Sequence, residues 1–89
     1  MRRRVVISGR VQGVGFRWSA ATEAERLGVS GSIRNLGEGN VEADISGEPD
    51  AVEHFTEWLR VGPPGARVDD LEIEDLPDDD PEGSGFRIR

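Results

Sequence analysis

Apolar residues recur along the chain first with the period of a strand and then with that of a helix. Residues 4–11 alternate between apolar and polar side chains, as a half-buried strand does. From Phe16 onward the apolar residues take up helical spacing, and Gly28 is placed to end the helix that this spacing predicts. A loop that contains Gly13 and Gly15 separates the two elements.

The same pattern predicts the remaining elements. They are strands over residues 29–36, 40–47, 68–76 and 86–89, and a helix that begins at Pro49 and ends before Gly62. The order of the first six elements, strand, helix, strand, strand, helix, strand, is the split βαβ (βαββαβ) arrangement. We therefore expect an α+β fold, a sandwich in which two helices pack on one face of an antiparallel sheet.

Composition limits the class of protein and its partners. The chain has 89 residues, enough for one modest core, so we expect a single domain over residues 1–89. Its formal net charge of −7 argues against nucleic acid and acidic membranes as partners, because both require a positively charged surface. All basic side chains are arginine, which suggests a salt-adapted or compositionally biased source. Without cysteine, and with the single histidine His54, no thiolate site, zinc site or other metal site is expected.

Two charged clusters are interpreted as solvated surface. The Arg2-Arg3-Arg4 cluster indicates a solvated start of the first strand rather than a nucleic-acid-binding tail. Only three apolar residues follow it, too few for the core of a signal peptide, so a cytoplasmic location is expected. The Asp78-Asp79-Asp80 run indicates an acidic turn rather than a calcium or magnesium loop, because it lacks the spacing of an EF-hand.

The glycine-containing loop before the first helix is a candidate anion site. Backbone N–H groups at a helix start have no intrahelical partner and carry the positive end of the helix dipole. Residues 12–16 include no Ser, Thr, Asp or Asn that would cap these groups. Arg17 adds a guanidinium in the first turn. A cation there is repelled by the positive end of the helix dipole, and a bound anion would attract both. The alternative is an ordinary glycine-rich turn with Arg17 in a surface ion pair.

Neither common glycine-rich nucleotide motif fits this loop. A Walker loop requires Lys-Ser or Lys-Thr after its last glycine, and a dinucleotide fingerprint that starts at Gly13 requires a small residue where Trp18 stands. Nucleotide binding is therefore not expected. Trp18 and Trp58 are both expected to pack against the sheet or a helix rather than on a ligand. Asn35, taken alone, indicates only a side chain that stabilises the following turn.

A resemblance to a known family is carried by Gly9-Arg10-Val11-Gln12-Gly13-Val14-Gly15-Phe16-Arg17, by Gly31-Ser32-Ile33-Arg34-Asn35 and by Gly39-Asn40-Val41-Glu42. These residues closely resemble the acylphosphatase family, and the resemblance extends into Phe86-Arg87-Ile88, so it covers nearly the whole chain. It implies a ferredoxin-like sandwich and metal-independent hydrolysis of acyl phosphates to a carboxylate and inorganic phosphate. No cofactor is implied.

By motif position, the resemblance implies that Arg17 and Asn35 are the catalytic residues. Arg17 would bind the phosphate and Asn35 would orient the attacking water. The backbone N–H groups that would bind the phosphate with Arg17 belong to Gln12, Gly13, Val14, Gly15 and Phe16. The two motifs that contain Arg17 and Asn35 hold no His, Asp, Glu or Cys that could act as a general base. The proton of the water is therefore expected to pass to the phosphate of the substrate.

The implied ligands are a small acyl phosphate and inorganic phosphate, and the chain is expected to be a monomer. An alternative is a non-hydrolytic module that binds phosphate or carbamoyl phosphate, since acylphosphatase-like domains also open larger carbamoyl-transferring proteins. RNA-recognition domains share the split βαβ order, but the predicted strands over residues 4–11 and 40–47 lack the aromatic side chains that stack on bases.

Overall fold

The computed structural model describes residues 1–78 and 85–89, and its elements follow the predicted order. The strands and helices are β1 (Arg2–Arg10), α1 (Phe16–Leu27), β2 (Ser30–Asn35), β3 (Val41–Ser46), α2 (Pro49–Val61), β4 (Arg67–Leu76) and β5 (Phe86–Ile88). One turn of 3-10 helix, Gly37–Gly39, joins β2 to β3. Each predicted strand and helix is present, with its ends shifted by no more than about two residues. Asp79 and Asp80 of the predicted acidic turn lie outside the described residues.

The five strands form one sheet in the order β4-β1-β3-β2-β5. β1 pairs antiparallel with β3 and β4, and β2 pairs antiparallel with β3. β5 pairs parallel with β2, so the predicted antiparallel sheet is mixed at this edge. The α+β ferredoxin-like sandwich is confirmed. The edge position of β5 brings the end of the chain beside β2, where the Arg89 N–H donates to the Ile33 carbonyl oxygen at 2.8 Å.

The core lies between the two helices and one face of the sheet. Its fully buried side chains include Val5, Ile7, Ala43 and Ile45 from the sheet, Phe16, Ala20 and Ala24 from α1, and Val52, Phe55 and Leu59 from α2. Burial of each larger apolar side chain contributes about 1.5–3 kcal/mol relative to exposure. Trp58 packs as predicted, with its ring centroid 5.7 Å from that of Phe16 and 6.1 Å from that of Phe55. The contact with Phe16 fixes the start of α1 against α2.

Arg3 is buried, which corrects the interpretation of the arginine cluster as solvated. Only 6% of its surface is exposed. Its guanidinium donates to Asp75 at 2.6 Å, to Glu53 at 3.2 Å and to the Thr56 hydroxyl at 3.1 Å. A buried cation is tolerated when its hydrogen bonds and its charge are both satisfied. Arg3 therefore links β1 to β4 and α2.

The Arg3–Asp75 pair makes stability depend on pH. The hydrogen bond from Arg3 lowers the pKa of the Asp75 carboxyl, against an opposing effect of desolvation. Because the folded pKa lies below the unfolded value, the pair stabilises the fold above about pH 4, and this contribution is lost as the pH falls through the folded pKa. We expect Asp75→Asn to lower the melting temperature at pH 7, and its difference from the parent to shrink in acid.

Thermal unfolding followed by circular dichroism between about pH 7 and pH 2 measures this difference. Asp69→Asn is a matched control, because Asp69 lies on the same strand in an exposed ion pair with Arg67. Exposed pairs contribute little, so the control is expected to unfold like the parent at every pH. A difference for Asp75→Asn that stays constant with pH would contradict the role of its charge.

Candidate active site

The loop after β1 lies beside the end of β2 because both strands pair with β3. Each runs antiparallel to β3, so β1 and β2 run in the same direction and end on the same side of the sheet. The register is explicit, since Ile7 of β1 and Asn35 of β2 are both partners of Val41. The Asn35 position and the glycine loop are thus brought together although the whole of α1 separates them in sequence.

The backbone of the loop leaves the N-terminus of α1 open. Gly13 and Gly15 have φ values of 75° and 76°, in the left-handed region where a side chain costs about 1–2 kcal/mol. Gly15 is the N-cap of α1, and no side chain caps the helix, as the sequence leads us to expect. The N–H groups of the first turn therefore point out of the helix without an intrahelical acceptor. This geometry suits an anion.

Arg17 lies in the first turn of α1 and is partly buried. One of its terminal guanidinium N–H groups donates to the backbone oxygen of Arg89 at 3.0 Å. Among residues 1–78 and 85–89, no carboxylate side chain forms an ion pair with Arg17, which disfavours the surface ion pair considered above. Since a guanidinium has five N–H donors, most of them stay available for a ligand.

Gln12 joins the loop to the turn that follows Asn35. Its side-chain amide donates to the carbonyl oxygens of Leu36 at 2.9 Å and of Asn40 at 2.8 Å. These two carbonyls flank the Gly37–Gly39 turn. The sequence assigns Gln12 only through its backbone N–H, and the bridging role of its side chain becomes visible with the three-dimensional arrangement.

A shallow cleft of about 200 Å³ lies between these groups. It is lined by Val11, Gln12, Gly13, Gly15, Phe16, Arg17, Trp18, Asn35 and Ile88. The structure thus brings Arg17, Asn35 and most of the predicted loop residues to one place. Val14 is not among these lining residues and packs against the core, so any contribution from it comes through its backbone.

Trp18 does not pack as predicted, since its side chain is 70% exposed. The buried side chains of α1 are Phe16, Ala20 and Ala24, which recur every four residues. Position 18 lies about half a turn from that stripe and therefore faces away from the core. Ile88, also partly exposed, joins Trp18 in the cleft. No local sequence signal identifies Ile88, because it reaches the cleft only through the pairing of β5 with β2.

Within the described parts of the chain, no cluster of three His, Cys, Asp or Glu side chains is arranged to hold a metal ion. His54 is exposed on α2. Among these same residues, no helix has the length and hydropathy needed to cross a membrane.

Comparison with known proteins gives consistent similarities. The acylphosphatase family model matches residues 3–88. An acylphosphatase from Anaeromyxobacter dehalogenans (strain 2CP-C) is 53% identical over 91 residues, which cover 100% of this chain and 95% of that protein. One from Thermococcus kodakarensis is 52% identical over 92% and 88% of the two chains. The crystal structure of acylphosphatase from Bacillus subtilis is 31% identical and superposes with a TM-score of 0.93 over 99% and 97%.

Proposed function

The chain belongs to the acylphosphatase family, and from this premise we propose that it hydrolyses acyl phosphates in the cleft between the glycine loop and Asn35. The activity itself, cleavage of a carboxyl–phosphate bond, is that of its relatives. The assignment of the site rests on one observation: Arg17 and Asn35 line a single cleft at the uncapped N-terminus of α1.

The first step is binding of the phosphate group. The N–H groups of residues 12–16 donate to its oxygens, and the guanidinium of Arg17 adds charge-assisted hydrogen bonds to two of them. The bond from Arg17 to the Arg89 backbone oxygen holds the guanidinium at the cleft before the substrate arrives. Such preorganisation reduces the entropy that is lost on binding.

The second step is attack by water. The Asn35 side-chain amide orients a water molecule, whose oxygen forms a bond to phosphorus while the bond from phosphorus to the carboxyl oxygen breaks. The carboxylate is a good leaving group, so positioning and charge stabilisation suffice and no strong acid is required. Among the described residues, those that line the cleft include no His, Asp, Glu or Cys. The proton of the water therefore passes to an oxygen of the phosphate.

The proposal includes independence from a metal and a cofactor. The proposal is supported by the side chains at the cleft, because the described residues that line it offer no carboxylate or hydroxyl ligand of the kind that Mg²⁺ prefers. It also includes action as a monomer in the cytoplasm. Sedimentation equilibrium tests whether the protein is a monomer, and fractionation of the source cells tests whether it is cytoplasmic.

A hydrolysis assay tests the proposed function directly. Benzoyl phosphate and a phosphate monoester are compared with EDTA present, at about 0.05 M and about 1 M salt. We expect turnover of benzoyl phosphate and none of the monoester. We also expect a lower KM at high salt, because a net charge of −7 repels an anionic substrate and the Debye length over which this repulsion acts falls to about 3 Å at 1 M. Comparable turnover of the monoester, or inactivation by EDTA, would contradict the proposal. Binding of carbamoyl phosphate without turnover would favour the non-hydrolytic module.

Gln12 is proposed as a positioning residue, and Gln12→Leu tests this role. The variant leaves the Leu36 and Asn40 carbonyls without their donor and frees the loop from the turn. We expect kcat to fall roughly tenfold to a hundredfold, since misplacement of about 1 Å has such effects. Thr22→Val, which removes an exposed side-chain-to-backbone hydrogen bond on α1, should retain the parent kcat. An unchanged kcat in Gln12→Leu would contradict the role.

A further inference from the structure

Trp18 and Ile88 give the cleft an apolar side that binding of phosphate and water does not use. Among the described residues, the large hydrophobic side chains with high exposure are Trp18 (70%), Val61 (71%), Ile73 (41%) and Ile88 (44%). Trp18 and Ile88 line the cleft together with Arg17 and Asn35, and the other two do not. Single exposed hydrophobic residues are ordinary, but two that line the same candidate active site call for a physical explanation.

The two side chains reach the cleft from different elements. Trp18 follows Arg17 directly in the first turn of α1. Ile88 lies in β5, where it pairs with Ile33 and precedes Arg89, whose backbone oxygen holds Arg17. Both residues are therefore neighbours in sequence of the two residues, Arg17 and Arg89, that are joined by this hydrogen bond.

An acyl phosphate has two chemically different ends. Its phosphate binds at the loop and Arg17, so its acyl group must occupy another part of the same small cleft. Ligand sites typically combine a few polar groups that set orientation with apolar walls that contact the rest of the ligand. The broad face of an indole ring favours contact with flat or apolar groups. Trp18 and Ile88 supply that wall here.

Building on the proposed function, we infer that Trp18 and Ile88 form a subsite for the acyl group and select acyl phosphates with an apolar, above all aromatic, acyl group. Small polar acyl groups, such as carbamoyl, gain less because they bury little apolar surface. The subsite raises the specificity of the enzyme without taking part in bond cleavage.

Specificity ratios test this inference. kcat/KM is measured for benzoyl phosphate and acetyl phosphate in the parent and in Trp18→Ala, Trp18→Phe and Ile88→Ala. Comparing the benzoyl-to-acetyl ratio between variants removes the difference in intrinsic reactivity of the two substrates. We expect Trp18→Ala to lower this ratio about tenfold, the effect of losing one apolar contact region, and Ile88→Ala to lower it less. Trp18→Phe should keep most of the ratio because it keeps an aromatic face.

Val61→Ala is the matched control, because Val61 is as exposed as Trp18 and is not among the residues that line the cleft. It should keep the parent ratio. Inhibition by phenylphosphonate and methylphosphonate gives a second measurement, free of bond cleavage. The parent should bind the phenyl compound more tightly, and Trp18→Ala should lose that preference. The high exposure of Trp18 means that its truncation should leave the melting temperature near that of the parent.

The outcomes separate this inference from the proposed function. If the parent hydrolyses both substrates and the benzoyl-to-acetyl ratio is unchanged in Trp18→Ala and Ile88→Ala, the acyl subsite is overturned and the hydrolytic function stands. If the parent hydrolyses neither substrate, the proposed function fails first. A loss of activity in Trp18→Ala that is equal for both substrates would overturn the subsite and indicate an effect on Arg17.

Discussion

Replacing Arg17 by alanine is expected to abolish phosphate binding and acyl phosphate hydrolysis together. The variant removes the guanidinium that lies in the cleft without a carboxylate partner among the described side chains. Arginine groups that stabilise a transferring phosphoryl group contribute about 10³ to 10⁵ in kcat, so a loss of at least about 10³ in kcat/KM is expected. The measurements are kcat/KM for benzoyl phosphate and the inhibition constant of inorganic phosphate.

Two further variants sharpen this experiment. Arg17→Lys keeps the charge but not the paired donors, so it should recover part of the phosphate affinity and little of the turnover. Arg26→Ala removes an exposed guanidinium from the last turn of the same helix, where it pairs with Glu23, and should retain full activity. If the inhibition constant of inorganic phosphate in Arg17→Ala equals that of the parent, the loop binds phosphate without Arg17, and the proposed role is wrong.

Replacing Asn35 by alanine is expected to separate binding from turnover. The side chain would position water and not phosphate, so the inhibition constant of inorganic phosphate should stay within about twofold of the parent. The value of kcat should fall by about 10² to 10³, the range found when one polar group that acts in the transition state is removed. This split distinguishes Asn35 from Arg17, although both line one cleft.

Ser30→Ala serves as the control on the same strand, because Ser30 begins β2 at the end opposite to Asn35. It should retain both phosphate binding and turnover. Parent-like hydrolysis by Asn35→Ala would contradict the role in positioning water. A joint loss of phosphate affinity and turnover would instead place Asn35 in the phosphate site.

The elements could be predicted from the sequence because their signals are local. Apolar spacing and Gly28 define α1, and the uncapped loop before it is visible in the residue types alone. The role of Asn35 is different. Its proximity to the loop depends on the pairing of two strands with β3, and periodicity carries no information on that pairing. From the sequence, only the resemblance to the acylphosphatase family assigns Asn35 and Arg17 to one site.

The two incorrect interpretations, of Arg3 and Trp18, have specific physical causes. Arg3 shares the parity of Val5 and Ile7, so strand alternation places it on the buried face, although its charge and its two arginine neighbours indicate a solvated position. The sequence favours packing of Trp18 against the sheet or a helix, whereas its helical position turns it away from the core. In both cases, position on the element determined burial more strongly than residue type.

β1 and β2 both pair with β3, and Val41 of β3 is the partner of a residue in each of them. In a chain in which β3 has not yet docked, β1 and β2 lack the strand that places the glycine loop beside Asn35. In the proposed mechanism, catalysis therefore requires the completed sheet. We expect activity to return during refolding only when this central strand docks, and later than the helical signal, because helices form from local contacts and sheets from distant ones.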